Sequence, residues 1–311
     1  MSEKKAHRVK RKPQKKSSTR DMSTLKKVLW VLLSLLLVMV VSVVVSVVAM
    51  WMKGTLPTRA ELPRLRDKFF YHIDRYMPSR LPEAEVLGID VSHYQGTIRW
   101  DELAFHIDKS RKMHSSSDKR TKLRGPLRAL LARGVRTVEV DFVVCKCTEG
   151  SAWVDPFYSV NKDGARQRGV MFGAYHFFSP SSSARRQAEH FIRHANLHKG
   201  DIVPILDVEE FKRSFPSTDS VLVWLKYMER YYGAKPLIYT GQNAFNTYFA
   251  NDKRFSDYGF WLARYGGLEP DHHHVFWQAM ENGRVGGIQK MVDVNVFRGT
   301  KTDLKYKYTI R

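Results

Sequence analysis

The sequence predicts an α/β fold, an irregular single (β/α) barrel of the TIM type, preceded by an N-terminal transmembrane helix. Three observations indicate this fold class. A charge-free apolar run occupies residues 28–52 of the 311-residue chain, and apolar β-branched segments then alternate with amphipathic ones. Eight strand candidates follow within about 220 residues, a number that favours closure of a mostly parallel sheet into a barrel.

The apolar run at 28–52 is long enough to cross the hydrocarbon core of a bilayer and too long for a cleavable signal peptide. Residues 1–27 carry eleven Lys and Arg against two acidic residues. The positive-inside rule therefore places this basic tail in the cytoplasm. Everything after Lys53 is then extracytoplasmic, which suits a single-pass protein of a bacterial inner membrane with its folded domain in the periplasm.

The remaining chain is predicted to form a stalk at 53–85, rich in proline and charge, and a barrel domain at 86–311. Ser183 is a plausible N-cap for a helix in the stretch "SARRQAEHFIRHANL". A basic segment at about 106–134 is expected to be an exposed insertion, a loop followed by a helix from about Pro126. The strand candidates are 86–91, 138–146, 170–176, 202–208, 236–240, 259–263, 274–279 and 291–296.

The distribution of charge narrows the classes of molecule that this protein could bind. The net charge of +21 suits an anionic partner, which could be nucleic acid, anionic lipid or an acidic wall polymer. The densest basic block lies before the apolar run and so faces anionic lipid, which argues against a nucleic-acid partner.

The only cysteines, Cys145 and Cys147, are predicted to be buried small hydrophobic residues rather than a disulfide or a metal site.

Acidic residues follow several of the predicted strands, and residues at the C-terminal ends of barrel strands point into the active site. Asp207 and Glu209 stand two apart after an apolar strand, so they share one side and interact electrostatically. One of such a pair keeps its proton to higher pH, as acid-catalysed bond cleavage requires. Each acid alone could instead cap a helix or bind a loop amide. The further strand-end acids are Asp90, Glu149 and Asp293.

Aromatic residues cluster at the same strand ends, where rings could stack on sugar faces or simply belong to the core. They are Tyr94, Trp153, Tyr175, Phe177, Tyr239, Trp261 and Trp277. The sequence contains no P-loop, dinucleotide fingerprint, H-E-x-x-H or G-x-S-x-G motif. These absences remove the commonest nucleotide-binding, zinc-protease and serine-hydrolase signatures.

Taken together, the motifs resemble glycoside hydrolase family 25, the Chalaropsis-type lysozymes. The matching stretches occur in the family's order over about residues 86–298: "GIDVSHYQGTIRW", "CTEGSAWVDPFYSVNKDGARQRGVMFGAYHFF", "QAEHFIRHA", "PILDVEE", "LIYTG", "FWLARYG", "VFWQ" and "VDVNVF". The resemblance implies an irregular β/α barrel that cleaves the β-1,4 bond between N-acetylmuramic acid and N-acetylglucosamine in peptidoglycan, without a metal or other cofactor. It also implies retention of the anomeric configuration.

The resemblance assigns roles to individual residues. Glu209 would be the general acid, and Asp207 would either stabilise the oxocarbenium-like centre or position the substrate's N-acetyl group. Asp90 and Asp293 would line the floor of the site. The residues implied to bind substrate are Tyr175, Tyr239, Trp261, Gln95, Lys146, Glu149 and Gln278. Two departures from the family pattern are the extra segment 106–134 and Cys147 within "KCTEG".

The leading hypothesis from the sequence is a membrane-anchored muramidase that acts on wall glycan. A non-catalytic, membrane-anchored peptidoglycan-binding module is the alternative, and the presence of all four acids argues against it. A third class, a metal-dependent phosphodiester-cleaving barrel, would need His and Glu ligands at strand ends, with His176 as a candidate.

Overall fold

The computed structural model describes residues 19–52, 80–114, 134–210, 214–266, 269–271 and 274–311. The chain divides into two compact units, Met1–Leu62 and Pro63–Arg311. The first unit contains one long helix and the second contains a closed β-barrel with its surrounding helices.

Helix α1 spans Thr19–Met52 and is 34 residues long, about 51 Å at 1.5 Å per residue. Its segment Lys27–Ser46 is long and apolar enough to cross a membrane, with a mean hydropathy of 3.1. The hydroxyls of Ser34 and Ser46 donate to the carbonyls of Trp30 and Ser42, each at 2.8 Å. These hydroxyl groups are therefore satisfied within the helix itself.

Eight strands form the barrel, and each corresponds to one of the predicted strand segments. They are β1 (Val86–Val91), β5 (Phe142–Glu149), β7 (Met171–Phe177), β8 (Ile205–Asp207), β9 (Leu237–Gly241), β10 (Gly259–Ala263), β11 (Phe276–Gly283) and β12 (Val292–Phe297). Neighbours pair in the order β1-β5-β7-β8-β9-β10-β11-β12, and β12 returns to β1. The predicted irregular (β/α) barrel is confirmed.

The irregularity lies in β12, which runs antiparallel to both β11 and β1, whereas the other barrel pairings are parallel. The loop 284–291 joins β11 to β12 and is shorter than the dozen or so residues that a parallel crossover needs. The last strand must therefore return in the opposite direction. Its first residues consequently lie beside the last residues of β1.

The candidate strand at 138–146 is two strands in different sheets. A small antiparallel sheet contains β2 (Phe105–Ile107), β3 (Met113–His114) and β4 (Arg136–Val138), in the order β3-β2-β4. Only the part from Phe142 onward enters the barrel. A short strand, β6 (Trp153–Val154), pairs antiparallel with the end of β5.

The insertion expected at 106–134 is not an exposed loop in its first part, because Ile107 and Met113 are buried in the core. The predicted helix from Pro126 lies outside the described residues. Of the predicted stalk, residues 53–79 also lie outside them. Leu81 is buried and its amide donates to the Arg111 carbonyl at 2.8 Å. The last stalk residues therefore belong to the folded domain.

Helices pack around the barrel, and two apolar layers result. The helices are α2 (Tyr158–Arg168), α3 (Ala184–Ala195), α4 (Thr218–Tyr232) and α5 (Lys301–Lys307), with shorter helical turns at His93–Gln95, Trp100–Glu102, Gln242–Ala244, Phe245–Phe249 and Lys253–Phe255. The predicted N-cap is confirmed, since the Ser183 hydroxyl accepts from the Arg186 amide at 3.3 Å. Of the two apolar layers, one lies between the strands and the helices and the other fills the barrel.

Glycine makes room inside the barrel. A Cβ on Gly88 of β1 would lie 2.4 Å from the Phe142 ring. Phe142 is fully buried and packs edge-on against Phe276 with a centroid separation of 5.2 Å. The interior of the barrel is thus filled with apolar side chains, and its polar side chains lie at one end.

Candidate active site

Four carboxylates come together at the end of the barrel where the parallel strands finish. Asp90 lies near the end of β1, Asp207 ends β8, and Glu209 follows two residues later. Asp293 is the second residue of β12, and it joins the others only because that strand is reversed. In the resulting register Asp90 and Asp293 are direct partners.

Asp90 is the hydrogen-bonding centre of this end of the barrel. Its Oδ2 accepts from Gln278 Nε2 at 2.9 Å and from Asn295 Nδ2 at 2.7 Å, and its carboxyl is also hydrogen-bonded to that of Asp293. Burial raises the pKa of Asp90, and its hydrogen bonds to Asn295, Gln278 and Asp293 oppose that rise. Because the two amide donors favour the charged form of Asp90, the proton shared by the two acids resides on Asp293. Burial and the neighbouring Asp90 charge raise the pKa of Asp293 well above its ordinary value.

Gln278 is oriented by two tyrosines. The hydroxyls of Tyr239 and Tyr265 donate to Gln278 Oε1 at 2.8 Å and 2.6 Å. Because the amide oxygen receives both protons, the amide nitrogen is left to donate to Asp90. The Tyr239 hydroxyl also contacts the Glu209 carboxyl, which connects the two halves of the acid set.

Asn295 is oriented in the same manner. Trp261 Nε1 donates to Asn295 Oδ1 at 3.0 Å, which leaves the Asn295 amide nitrogen to donate to Asp90. Trp261 is only 2 % exposed, so most of its ring packs within the barrel. In this structure Trp261 acts on the site through Asn295, and little of its face is open to a sugar.

Asp207 and Glu209 form a second acidic pair. Asp207 is buried, and within the described part of the chain its Oδ1 has no hydrogen-bond partner. Burial, followed by the charge of Glu209, raises the pKa of Asp207 well above its ordinary value. Burial and the charge of Asp90 raise the pKa of Glu209 as well. The pair therefore retains a proton at a pH where exposed carboxyls are ionised, which is the state that general-acid catalysis needs.

The positive charge of Lys146 opposes the rise in the pKa values of Asp207 and Glu209. Lys146 is 8 % exposed, and its Nζ lies 2.7 Å from Glu149 Oε2 and within 5 Å of the ring centroids of Trp153 and Phe177. Its charge lowers the pKa of both Asp207 and Glu209. The predicted pair Lys146 and Glu149 thus lies beside the acids.

A β-bulge sets the direction of these side chains. Lys146 pairs with Tyr175 and Thr148 pairs with His176, so Cys147 is the extra residue of β5. Cys145 and Cys147 are fully buried and free, which confirms that they act as small hydrophobic residues. Burial raises the pKa of Cys147 to about 12.

Two other predicted substrate-binding residues are held by the protein itself. Gln95 Oε1 accepts from the Ser92 amide at 2.9 Å, and Gln95 Nε2 donates to the Met291 carbonyl at 3.1 Å. Gln95 thereby ties the loop after β1 to the start of β12. Tyr175 points into the barrel core near the acids, where burial raises its pKa well above the ordinary value.

His176 does not face the site. Gln187 Nε2 donates to the carbonyls of Ser179 and Ser182 at 2.7 Å and 2.9 Å, so Gln187 Oε1 must accept from His176 Nε2 at 3.0 Å. His176 Nδ1 then accepts from the Thr148 hydroxyl at 2.7 Å. Both ring nitrogens are used and burial lowers the pKa of His176 to about 3, so it is a neutral structural residue and not a metal ligand.

Three residues of this network were not predicted from sequence: Asn295, Tyr265 and Glu281. Asn295 stands two residues after Asp293 on the same face of β12, a period-two signal that could have identified it. Glu281 on β11 contributes to the raised pKa of Asp293 by its charge. Tyr265 lies beyond the end of β10, where strand periodicity carries no information.

Comparison with known proteins gives a consistent result. The family model described as "Glycosyl hydrolases family 25" matches residues 130–288. An uncharacterized Escherichia coli K12 protein, YegX, is 34% identical over 273 residues, covering 81% of this chain and 90% of its own. Lysozyme M1 of Streptomyces globisporus is 28% identical, covering 70% of each chain.

Solved structures agree with the sequence comparisons. The bacterial lysozyme of Streptomyces coelicolor superimposes with a TM-score of 0.58 at 26% identity, covering 73% of this chain and 98% of that one. The motifs, the closed barrel and these matches lead to one family. The chain belongs to glycosyl hydrolases family 25 and is a glycoside hydrolase.

Proposed function

We propose that this glycoside hydrolase is a muramidase that cleaves the β-1,4 bond between N-acetylmuramic acid and N-acetylglucosamine in peptidoglycan. The observation that carries the proposal is the pair of the buried Asp207 and the half-buried Glu209 at the end of the barrel, with both pKa values raised. The names of related proteins, lysozyme M1 among them, support the choice of substrate.

Glu209 is the general acid in this proposal. It protonates the leaving glycosidic oxygen, because it follows the strand end, retains its proton through burial, and is less deeply placed than Asp207. Tyr239 contacts its carboxyl and links it to Gln278 and Asp90. This link gives the protonated acid a hydrogen-bond partner that fixes its orientation.

Asp207 is the partner of Glu209. Its carboxylate either stabilises the oxocarbenium-like centre or orients the N-acetyl group for internal attack. Burial and the charge of Glu209 raise the pKa of Asp207, and the charge of Lys146 opposes that rise. Lys146 thereby favours the charged form of Asp207 once Glu209 holds the proton. The charge of Asp90, which its two amide donors favour, helps to hold the proton on the pair.

The hydrolase acts from the membrane in this proposal. Segment Lys27–Ser46 of α1 has the length and apolarity of a span, and the basic residues before it place the N-terminus in the cytoplasm. The barrel would then lie in the periplasm next to the wall glycan. The anchor limits reach, which favours remodelling of the cell's own wall over a freely secreted role.

The catalytic assignment is tested with the detergent-solubilised full chain on purified peptidoglycan. Released reducing ends are measured for wild type, Glu209→Gln and Glu210→Gln. Glu210 is the adjacent exposed acid and provides a matched control. Glu209→Gln is expected to lose about 10³-fold in kcat, within the range for a general acid, while Glu210→Gln keeps its rate. Equal rates for wild type and Glu209→Gln would contradict the assignment.

The proposed location is tested separately in intact cells and spheroplasts. Protease added outside spheroplasts is expected to digest the barrel domain and leave a short membrane-embedded fragment with the N-terminal tail. Recovery of the intact chain after protease treatment, or its release from membranes by alkaline carbonate, would contradict the anchored periplasmic location.

A further inference from the structure

Three rings form a continuous surface beside the acids. Two of them, Tyr94 and Trp153, are among the strand-end aromatic residues for which the sequence left a sugar-stacking role and a core role open. The rings of His93 and Tyr94 are 4.2 Å apart between centroids, and those of His93 and Trp153 are 5.2 Å apart. Tyr94 is 67% exposed and Trp153 is 37% exposed. We call this surface, Tyr94, His93 and Trp153, the aromatic shelf.

The aromatic shelf is held in place by a buried carboxylate. The Asp155 side chain is fully buried, and its Oδ2 accepts from the His93 backbone amide and lies 2.9 Å from His93 Nδ1. Its Oδ1 accepts from the Phe157 amide at 2.9 Å. A buried carboxylate used in this way fixes both the backbone and the ring of His93. The middle of the shelf is therefore preorganised, which lowers the entropic cost of binding.

The shelf is continuous with the acid set through Lys146. Trp153 pairs with Glu149 across β5 and β6, and Lys146 Nζ lies 4.8 Å from the Trp153 ring centroid. The same ammonium group is 2.7 Å from Glu149, and its charge opposes the rise in the pKa values of Asp207 and Glu209 that burial causes. The shelf is thus the next surface reached along the barrel mouth from the reacting bond.

Exposed aromatic residues need no explanation when they are isolated. Tyr306, for example, is 63% exposed on α5, and its ring centroid lies 5.9 Å from Lys305 Nζ. The shelf differs because its rings touch one another, because a buried acid orients the central ring, and because it adjoins the carboxylates.

We propose that the aromatic shelf binds a pyranose ring of the glycan strand at a subsite beyond the two sugars that share the cleaved bond. This inference rests on the proposed muramidase function and adds a subsite to it. The apolar C–H face of a pyranose complements the electron-rich face of Trp153 or Tyr94. Sugars distant from the reacting bond contribute binding energy that improves the hydrolysis of long strands over short ones.

The test measures how hydrolysis depends on glycan length. The detergent-solubilised full chain is assayed on the disaccharide N-acetylmuramic acid–N-acetylglucosamine, which contains only the two sugars of the cleaved bond, and on the N-acetylglucosamine–N-acetylmuramic acid tetrasaccharide, as wild type, Trp153→Ala, Tyr94→Ala and the control Tyr306→Ala. The ratio of kcat/KM for the tetrasaccharide to that for the disaccharide is expected to fall about tenfold in Trp153→Ala, the factor that corresponds to ~1.4 kcal/mol. Both substrates meet the same acids, so an effect of the substitution through Lys146 cancels in this ratio, and the ratio for the control is expected to stay unchanged.

Binding of the same two oligosaccharides is measured by calorimetry in the Glu209→Gln background, so that the subsite is tested even if hydrolysis is absent. The shelf substitutions are expected to weaken tetrasaccharide binding about tenfold and remove the preference for the tetrasaccharide over the disaccharide. Tyr94→Ala protects against a folding artefact, because its side chain is mostly exposed. An unchanged ratio of tetrasaccharide to disaccharide affinity in both shelf variants overturns the subsite. Loss of length preference without any hydrolysis by wild type overturns the muramidase proposal alone.

Discussion

Replacing Asn295 with Leu tests whether Asp90 sets the protonation of the acid pair. Asn295 is fully buried, donates to Asp90 at 2.7 Å and accepts from Trp261 at 3.0 Å. Leucine has a similar volume but makes neither hydrogen bond. One lost bond is to a charged group and the other leaves a buried indole N–H unpaired, so the free energy of unfolding should fall by about 3–5 kcal/mol. For a domain of this size the midpoint temperature should drop by roughly 10 °C.

The same substitution should change the pH dependence of activity. The Asn295 hydrogen bond lowers the pKa of Asp90, so its loss raises that pKa and favours neutral Asp90. The charge of Asp90 is one cause of the raised pKa of Glu209, and without that charge the Glu209 pKa falls. Because the general acid must be protonated, activity is lost as pH rises through its pKa. The basic limb of kcat is therefore expected to move to lower pH in Asn295→Leu.

Two measurements decide the matter: thermal unfolding by circular dichroism and a pH profile of reducing-end release from peptidoglycan. Asn251→Leu is the control, because Asn251 is exposed and a surface change of this kind costs little. A basic limb that stays in place or moves to higher pH would refute the proposed influence of Asp90 on Glu209, even if the protein were destabilised.

Three further outcomes are expected. The folded pKa of His176 is about 3, below its unfolded value, so the unfolded state binds the extra proton. The free energy of unfolding therefore falls as the pH drops from about 6.5 to 3, and thermal melts of His176→Gln should show a weaker dependence of stability on pH. Gly88→Ala should lower the free energy of unfolding by about 1–3 kcal/mol, because the new methyl group crowds Phe142. Gly241→Ala places its methyl group in open space and should leave the free energy of unfolding unchanged, and urea unfolding of both variants compares them. Cys147, with its pKa raised to about 12, should stay unlabelled by a thiol reagent at pH 8 until denaturant is added.

The barrel could be predicted from sequence because its strands are apolar, β-branched and separated by helical patterns. The direction of β12 could not, since the alternation in "VDVNVF" is the same in both directions. Asp293 was accordingly placed by motif, while its position beside Asp90 depends on strand reversal. The bulge at Cys147 was also invisible, because one extra residue leaves the local pattern unchanged.

The acids were the predictable part of the candidate site, because carboxylates rarely follow a buried strand without a partner or a use. The roles of the aromatic residues were harder to predict. An inward-facing tryptophan at a strand end looks the same in sequence whether it supports Asn295, as Trp261 does, or lies half open to solvent, as Trp153 does. Only the packing around each ring separates these two cases.

The pairing of β12 with β1 has a consequence during translation. The two amide donors of Asp90 come 188 and 205 positions later in the chain. At roughly 5–20 residues per second, a ribosome needs about 10–40 s to reach the later one. Until then β1 has no β12 to pair with, and Asp90 lacks both amide donors. The candidate active site is therefore incomplete in the nascent chain, and this end of the barrel assembles only when synthesis is nearly complete.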